Sequence, residues 1–131
     1  MKTHKNLFST ITPFHNLLLA VKNAEKGKRF KPTVAPFLFH QERELARLQT
    51  ELSDKTYLPS AYRTFTIIDP KERRISAAPF RDRVVHHALC NVIEPVFEKT
   101  FIRDSFANRK KKGTHKAIEC NQQFAKLFPC V

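Results

Sequence analysis

Two groups of basic residues are the side chains in this sequence best suited to chemistry, and that chemistry is the binding of phosphates. The first group is Lys71, Arg73 and Arg74, which follow a proline in a predicted turn. A guanidinium can hold two phosphate oxygens at once, and an ammonium adds a compact charge. The same charges could instead protect an exposed strand edge from aggregation. Spacing alone favours this second interpretation.

The second group is a basic run that leads into a predicted helix. It reads Arg109-Lys110-Lys111-Lys112-Gly113-Thr114-His115-Lys116. Thr114 is the expected N-cap of the helix, and the free N–H groups at a helix N-terminus favour an anion. A solvated basic loop without a ligand is the alternative, and the sequence leaves it open.

The overall charge points in the same direction. The chain has 131 residues, 24 Lys and Arg against 12 Asp and Glu, and a net charge of +12. Such an imbalance favours polyanions, with nucleic acid as the first choice. A hydrophobic content of 41% predicts a globular chain with a modest core.

Cysteine usage and hydropathy suggest a compartment. Cys90, Cys120 and Cys130 are an odd number and form no Cys-x-x-Cys pair, which argues against a disulfide framework or a zinc site and favours a reducing cytoplasm. The longest purely apolar run, residues 17–21, is too short to span a bilayer. We therefore expect no membrane association.

Periodicity predicts the elements that position the basic groups. Apolar residues at helical spacing predict helices over Phe14–Ala24 and from about Leu38, with Pro32 and Pro36 bracketing a loop between them. Residues 62–68 and 73–77 predict a β-hairpin around the turn Asp69-Pro70-Lys71-Glu72. A helix from Pro79 to Pro95 and a final helix after Thr114 follow. The predicted fold class is α+β, mostly helical, with one β-hairpin.

With these elements in place, the chain resembles the fingers region of a bacterial reverse transcriptase of the group II intron, retron or diversity-generating type. In that family a Pro-Lys-x-Arg-x-Ile hairpin precedes a Pro-Phe-Arg-Asp-Arg-Val-Val helix. The matching residues here are Pro70, Lys71, Arg73 and Ile75, then Pro79, Phe80, Arg81, Asp82, Arg83, Val84 and Val85. Downstream, Asp104-Ser105-Phe106-Ala107 and Gly113-Thr114-His115-Lys116-Ala117 also match, but Lys111 stands where the family has a glycine.

The resemblance implies a role for each basic group. The fold would be the fingers subdomain of a right-hand polymerase, with residues 1–55 as a helical N-terminal extension and residues 56–131 as the fingers region. Lys71 and Arg73 would bind the triphosphate of a dNTP, with Arg74 at a variable position beside them. The residues expected to bind the RNA template and the RNA/DNA primer duplex are Arg81, Arg83, Arg109, Lys110, Lys111, Lys112, His115 and Lys116.

The resemblance also implies what is missing. The family holds Mg²⁺ with carboxylates of the palm, and we expect this chain to stop before them, because Glu119 is its last acidic residue. Asp69 follows a predicted strand, but Pro70 after it favours a turn. We therefore expect no catalytic residue, no bound metal and no polymerase activity in this chain alone, with palm and thumb as its partners.

Two other interpretations remain open at this point. The chain could be a stand-alone basic module or accessory subunit of a retroelement, in which the helix from Pro79 follows a nucleic-acid backbone. It could also be a structural domain that pairs with another chain through its apolar face.

Overall fold

Helical periodicity and a strand pair rich in β-branched residues produce a mostly helical α+β fold, as predicted. The computed structural model describes residues 3–109 and 111–127, so the predictions for Lys110, Phe128 and Cys130 lie outside the described residues. In chain order the elements are α1 (Phe8–Ile11), α2 (Phe14–Ala24), α3 (Ala35–Phe39), α4 (Gln41–Ser53), β1 (Arg63–Ile68), β2 (Glu72–Ala77), α5 (Phe80–Glu98) and α6 (Thr114–Leu127).

The chain divides into two compact units, an N-terminal unit, Met1–Pro95, and a C-terminal unit, Val96–Val131. The core of the N-terminal unit consists of the apolar faces of α2, α4 and α5. Its fully buried side chains include Leu17, Leu45, Leu48 and Val84, each of which stabilises the fold by about 2 kcal/mol. The core therefore joins residues from both sides of the predicted boundary at residue 55.

A buried asparagine connects α2 to α5. The side-chain nitrogen of Asn16 donates to the carbonyl oxygens of Ile11 and Ala88, at 2.9 and 3.0 Å. The side-chain oxygen of Asn16 accepts from the amide nitrogen of Asn91 at 3.0 Å, and Asn23 donates to Asn91 at 3.3 Å. These bonds satisfy polar groups inside the core and fix the register of the two helices.

The hairpin is anchored at its base by one buried carboxylate. Asp82, in the first turn of α5, is 2% exposed. One of its oxygens accepts from the hydroxyl of Tyr57 at 2.7 Å, and the other accepts from the backbone N–H of Ser60 at 2.9 Å. Burial and this carboxylate raise the pKa of Tyr57. The hydroxyl therefore remains a donor, and the segment entering β1 is tied to the helix that follows β2.

Three predicted boundaries differ from the structure. The helix expected from Leu38 is two helices, because His40 leaves the helical region (φ −108°, ψ 29°), and Pro36 lies in the first turn of α3 rather than closing a loop. Pro95 does not end α5, which continues to Glu98. Proline removes one N–H donor, but its φ is compatible with the last helical turn. Thr114 is the first residue of α6, and Gly113 accepts its first backbone bond from Ala117.

The predicted apolar face of α6 is exposed. None of the described residues of this helix is buried, and Ile118 and Phe124 each expose about half of their surface, 50% and 46%. No helix formed by residues 3–109 and 111–127 has the length and apolar character needed to cross a membrane.

The Asp82 contacts generate a stability prediction. Asp82→Ala should lower the free energy of unfolding by about 2–3 kcal/mol, because it leaves two donors without an acceptor, whereas Tyr57→Phe should lower it by about 1 kcal/mol. Urea denaturation should show that the double variant loses less than the sum. Tyr62→Phe is the matched control, because Tyr62 is 57% exposed; additive losses would contradict the proposed contact.

Candidate nucleic-acid interface

The hairpin holds the first basic group away from the core. β1 and β2 pair antiparallel from Arg63↔Ala77 to Ile68↔Glu72, and residues 69–71 form the turn. Every residue of β1 is exposed, and so are Lys71, Arg73 and Arg74. The hairpin is therefore accessible to a ligand on both faces, with Lys71 in the turn that forms its tip.

Strand alternation separates the two arginines of this group. Arg73 pairs with Ile67 and Arg74 pairs with Thr66, and successive residues of a strand point to opposite faces. Arg73 therefore shares a face with Phe65 and Ile75, whereas Arg74 lies on the polar face. The two arginines therefore point to opposite faces of the hairpin, and their contacts with a triphosphate stay a prediction.

Arg81 is engaged inside the N-terminal unit. Its guanidinium lies 2.6 Å from a carboxylate oxygen of Glu51 and 5.7 Å from the centre of the Tyr57 ring. The hydrogen bond from Arg81 lowers the pKa of Glu51 against the opposing effect of burial, and Arg47, 3.0 Å away, adds to the lowering. Arg81 thus helps to hold α4 against α5. Its contact with nucleic acid stays a prediction.

Arg83 is half-buried on the same helix. Its guanidinium stacks over the Phe80 ring at 5.4 Å from the ring centre. Its Nε is buried and has no hydrogen-bond partner among the residues that the structure describes. The cation is therefore held beside an aromatic ring, with one donor unsatisfied.

The structure adds lysines that the sequence prediction missed. The pKa of His87 is lowered, and burial is the largest cause. The positive charges of Lys28 and Arg83 lower it further, followed by those of His86 and Lys26. The loop after α2 therefore brings its cations close to α5, where they extend the charge of Arg83. Lys26 and Lys28 belong to a basic run at residues 26–31, but nothing in the sequence connects that run with His87.

In the C-terminal unit, Arg109 organises the loop that precedes α6. Its guanidinium donates to both carboxylate oxygens of Glu98. Nη2 donates to Oε2 at 2.6 Å, and Nε donates to Oε2 at 3.0 Å and to Oε1 at 3.2 Å. It also donates to the carbonyl oxygens of Ile102 and Ser105, at 3.1 and 3.2 Å. The Arg109 side chain is only 12% exposed. This residue therefore stabilises the loop, and its predicted contact with nucleic acid stays untested.

The remaining predicted residues of this run lie at the loop surface. Lys111, His115 and Lys116 are exposed. Lys112 is half-buried, donates to the carbonyl of Arg103, and lies over the Phe106 ring at 5.2 Å. Lys112 and Lys116 line the same hollow of about 280 Å³. The structure thus brings these two lysines together on one surface of the C-terminal unit.

Lys111 has a backbone conformation that normally suits glycine. Its φ is +60°, and Gly113, two residues later, has a φ of +112°. A non-glycine residue in the left-handed region costs about 1–2 kcal/mol. Lys111 therefore adopts, under strain, a backbone conformation that glycine adopts freely.

Metal-binding groups are not found among the described residues: residues 3–109 and 111–127 contain no cluster of three or more His, Cys, Asp or Glu side chains able to hold a metal ion. Asp69 lies in the hairpin turn, where its backbone N–H donates to the Lys71 carbonyl at 3.3 Å. It is a turn residue, as the sequence predicted.

No protein-family model matches this chain, and neither does any curated protein.

The surroundings of His87 predict a pH dependence of stability. Because the pKa of His87 lies below the ordinary value of 6.5, the unfolded chain binds a proton at a higher pH than the folded chain does. The free energy of unfolding should therefore fall as the pH drops from about 7, through 6.5, towards the lower pKa of His87 in the folded chain. His87→Gln should reduce that fall in urea titrations, whereas His15→Gln, which removes an exposed histidine of α2, should not. Equal effects of the two variants would contradict the assignment.

The strain at Lys111 predicts that stability and binding respond in opposite directions. Lys111→Gly should stabilise the C-terminal unit by about 1 kcal/mol, because glycine adopts a positive φ without the steric penalty. Lys111→Ala removes the same charge without relieving the strain. Both variants should bind an RNA/DNA duplex more weakly in fluorescence anisotropy. Thermal denaturation should show a gain for the glycine variant alone; a gain for both would rule out backbone strain as the cause.

Proposed function

We propose that this chain supplies the fingers region of an RNA-directed DNA polymerase of the bacterial retroelement type. In this role it binds the template–primer backbone and the triphosphate of the incoming dNTP. The proposal depends on the motif resemblance between residues 57 and 117, and the hairpin is the structural feature that supports it best.

The observation that carries the proposal is an exposed cationic hairpin with an anchored base. Lys71 lies in the turn at the tip and Arg73 lies on β2, while the Asp82 contacts to Tyr57 and Ser60 hold the base. A two-stranded ribbon that buries little surface of its own can move as a lever about such a base. This arrangement suits a part that closes over a triphosphate.

The polar and apolar faces of the hairpin are proposed to differ in triphosphate binding. Arg73 shares its face with Phe65 and Ile75, so a triphosphate held there would be close to an apolar surface on which its base and sugar could pack. Arg74, on the opposite face, would not contact the same phosphates. Lys71 and Arg73 are therefore the proposed triphosphate ligands, and Arg74 is the weaker candidate.

The exposed cations proposed to bind the template–primer are Lys111, in the loop before α6, and His115 and Lys116, in the first turn of α6. Arg109 stabilises the loop through Glu98. Phosphate contacts of this kind position a duplex without reading its sequence.

Catalysis itself is proposed to require residues outside this chain. Two-metal nucleotidyl transfer needs closely placed carboxylates that hold Mg²⁺, which the palm of such a polymerase supplies. The role of the present residues is to bind and orient phosphates for that centre.

A stand-alone basic nucleic-acid-binding module is the second candidate, and the charges of Lys26 and Lys28, which act on His87 together with that of Arg83, favour it. In that case the total charge would govern binding, and the two faces of the hairpin would be equivalent.

The two candidates are distinguished by comparing Arg73→Ala with Arg74→Ala, which remove the same charge from opposite faces. Binding of dTTP with Mg²⁺ to the chain can be followed by ³¹P NMR. Arg73→Ala should weaken it roughly tenfold, because a hydrogen bond to a charged group contributes about 1.5–3 kcal/mol, and Arg74→Ala should have a much smaller effect. Equal losses would contradict the polymerase role and favour the module.

A further inference from the structure

The loop after α2 contains the most exposed aromatic ring of the described chain. Phe30 is 95% exposed, although an apolar ring gains free energy by burial. Its neighbours along the chain are Lys28, Arg29 and Lys31. A fully exposed phenylalanine between cations has no role in the core, which makes it a candidate contact for a ligand.

The loop holds Phe30 in a fixed position. Three backbone N–H groups donate to the carbonyl oxygen three residues earlier: Lys28 to Glu25 at 2.8 Å, Lys31 to Lys28 at 3.0 Å, and Val34 to Lys31 at 2.8 Å. Val34 is completely buried in the core. Consecutive turns therefore connect the backbone at Phe30 to a buried anchor, which limits the loss of backbone entropy on binding.

The charges around Phe30 are available to a ligand. Within residues 3–109 and 111–127, no ion pair joins Lys26, Lys28, Arg29 or Lys31 to a carboxylate. The charges of Lys26 and Lys28 instead act on His87, beside Arg83. Cations that are not held in an ion pair form a favourable site for a polyanion.

The loop also provides space. Residues 27–32 line a hollow of about 490 Å³. Gly27, one of these residues, has a φ of +66°, and a Cβ at this position would meet no atom within 4 Å. This volume is within the range of small-ligand sites. The hollow, the ring and the cations belong to one short segment.

We propose that residues 26–32 form a binding site for single-stranded nucleic acid, in which the ring of Phe30 stacks on an unpaired base and Lys28, Arg29 and Lys31 contact the adjoining phosphates. Aromatic rings interleaved with cations are the usual means of holding single strands, because every base has a face on which a ring can stack. A duplex is the poorer ligand, since its bases are already stacked on each other.

A membrane surface would also attract cations and an aromatic ring, but the loop fits it less well. Interfacial binding depends on a continuous apolar helix face, whereas this segment consists of turns with one exposed ring. The site is separate from the hairpin in sequence, and it requires no part of the polymerase proposal.

The test uses the absence of tryptophan from this chain. In Phe30→Trp the only indole would lie at the proposed stacking position, so a short oligo(dT) should quench its fluorescence. Phe39→Trp is the matched control, because Phe39 is also exposed (84%) but lies outside the loop; it should show little quenching. Quenching that is equal at both positions would overturn the proposal.

Measurements of affinity for oligo(dT) separate the contribution of base stacking from that of charge. Phe30→Ala should weaken oligo(dT) binding about tenfold to a hundredfold in fluorescence anisotropy, within the range known for base–aromatic stacking, and Phe39→Ala should not. An abasic strand of the same length keeps the phosphates, so the original chain and Phe30→Ala should bind it equally. If Phe30→Ala weakens binding of the abasic strand as much as that of oligo(dT), the ring does not stack on a base.

Two further comparisons complete the test. Arg73→Ala in the Phe30→Trp background should leave the quenching by oligo(dT) unchanged, so a failed polymerase proposal and a failed loop proposal give different results. Vesicles containing anionic phospholipid should not shift the emission of the indole. A blue shift with vesicles and no quenching with oligo(dT) would identify the loop as a membrane contact instead.

Discussion

The buried carboxylate of Asp82 is the constraint on which the candidate interface depends. No residue of either strand is fully buried, and an isolated pair of strands is marginally stable in water. Its orientation must therefore come from its base. Burial of a charge is unfavourable unless hydrogen bonds replace the lost hydration, and the Tyr57 hydroxyl and the Ser60 N–H provide those bonds from the segment that enters β1. The 2%-exposed carboxylate thus links the two ends of the hairpin to the helical core.

A second consequence of the structure is that the cations are not equivalent. Arg81 is paired with Glu51, and Arg109 is paired with Glu98 and two backbone carbonyls. Arginine suits these places because its planar group donates to several acceptors at once. Lysines have flexible stems, and those that remain exposed include Lys71 at the hairpin tip, Lys26 and Lys31 in the loop after α2, and Lys111 before α6. The net charge of +12 therefore divides into arginines that support the fold and cations that remain accessible to phosphate.

The sequence predicted what depends on local periodicity. Helical spacing located α2, the leucines of α4 and the buried side of α5, and β-branched residues around Asp69-Pro70 located the hairpin. Contacts between distant residues were not predictable. The pairs Glu51–Arg81 and Asn16–Ala88 join residues 30 or more positions apart in the chain, and no spacing rule connects them. The prediction of one continuous helix from Leu38 was wrong at His40 for a related reason. Apolar positions at helical spacing continue across this residue, and only its backbone angles show that the helix is interrupted there.

The two loops proposed to bind nucleic acid share a backbone feature. Gly27 has a φ of +66° and Lys111 a φ of +60°, so each loop turns through the left-handed region. At Gly27 the residue suits the conformation. At Lys111 it does not, and the chain accepts a local strain of about 1–2 kcal/mol there while presenting an exposed ammonium. Local rules of stability are commonly broken where a residue serves binding. A lysine at this position adds a charge that a glycine could not provide, and the fixed turn limits how far that charge can move from a bound phosphate.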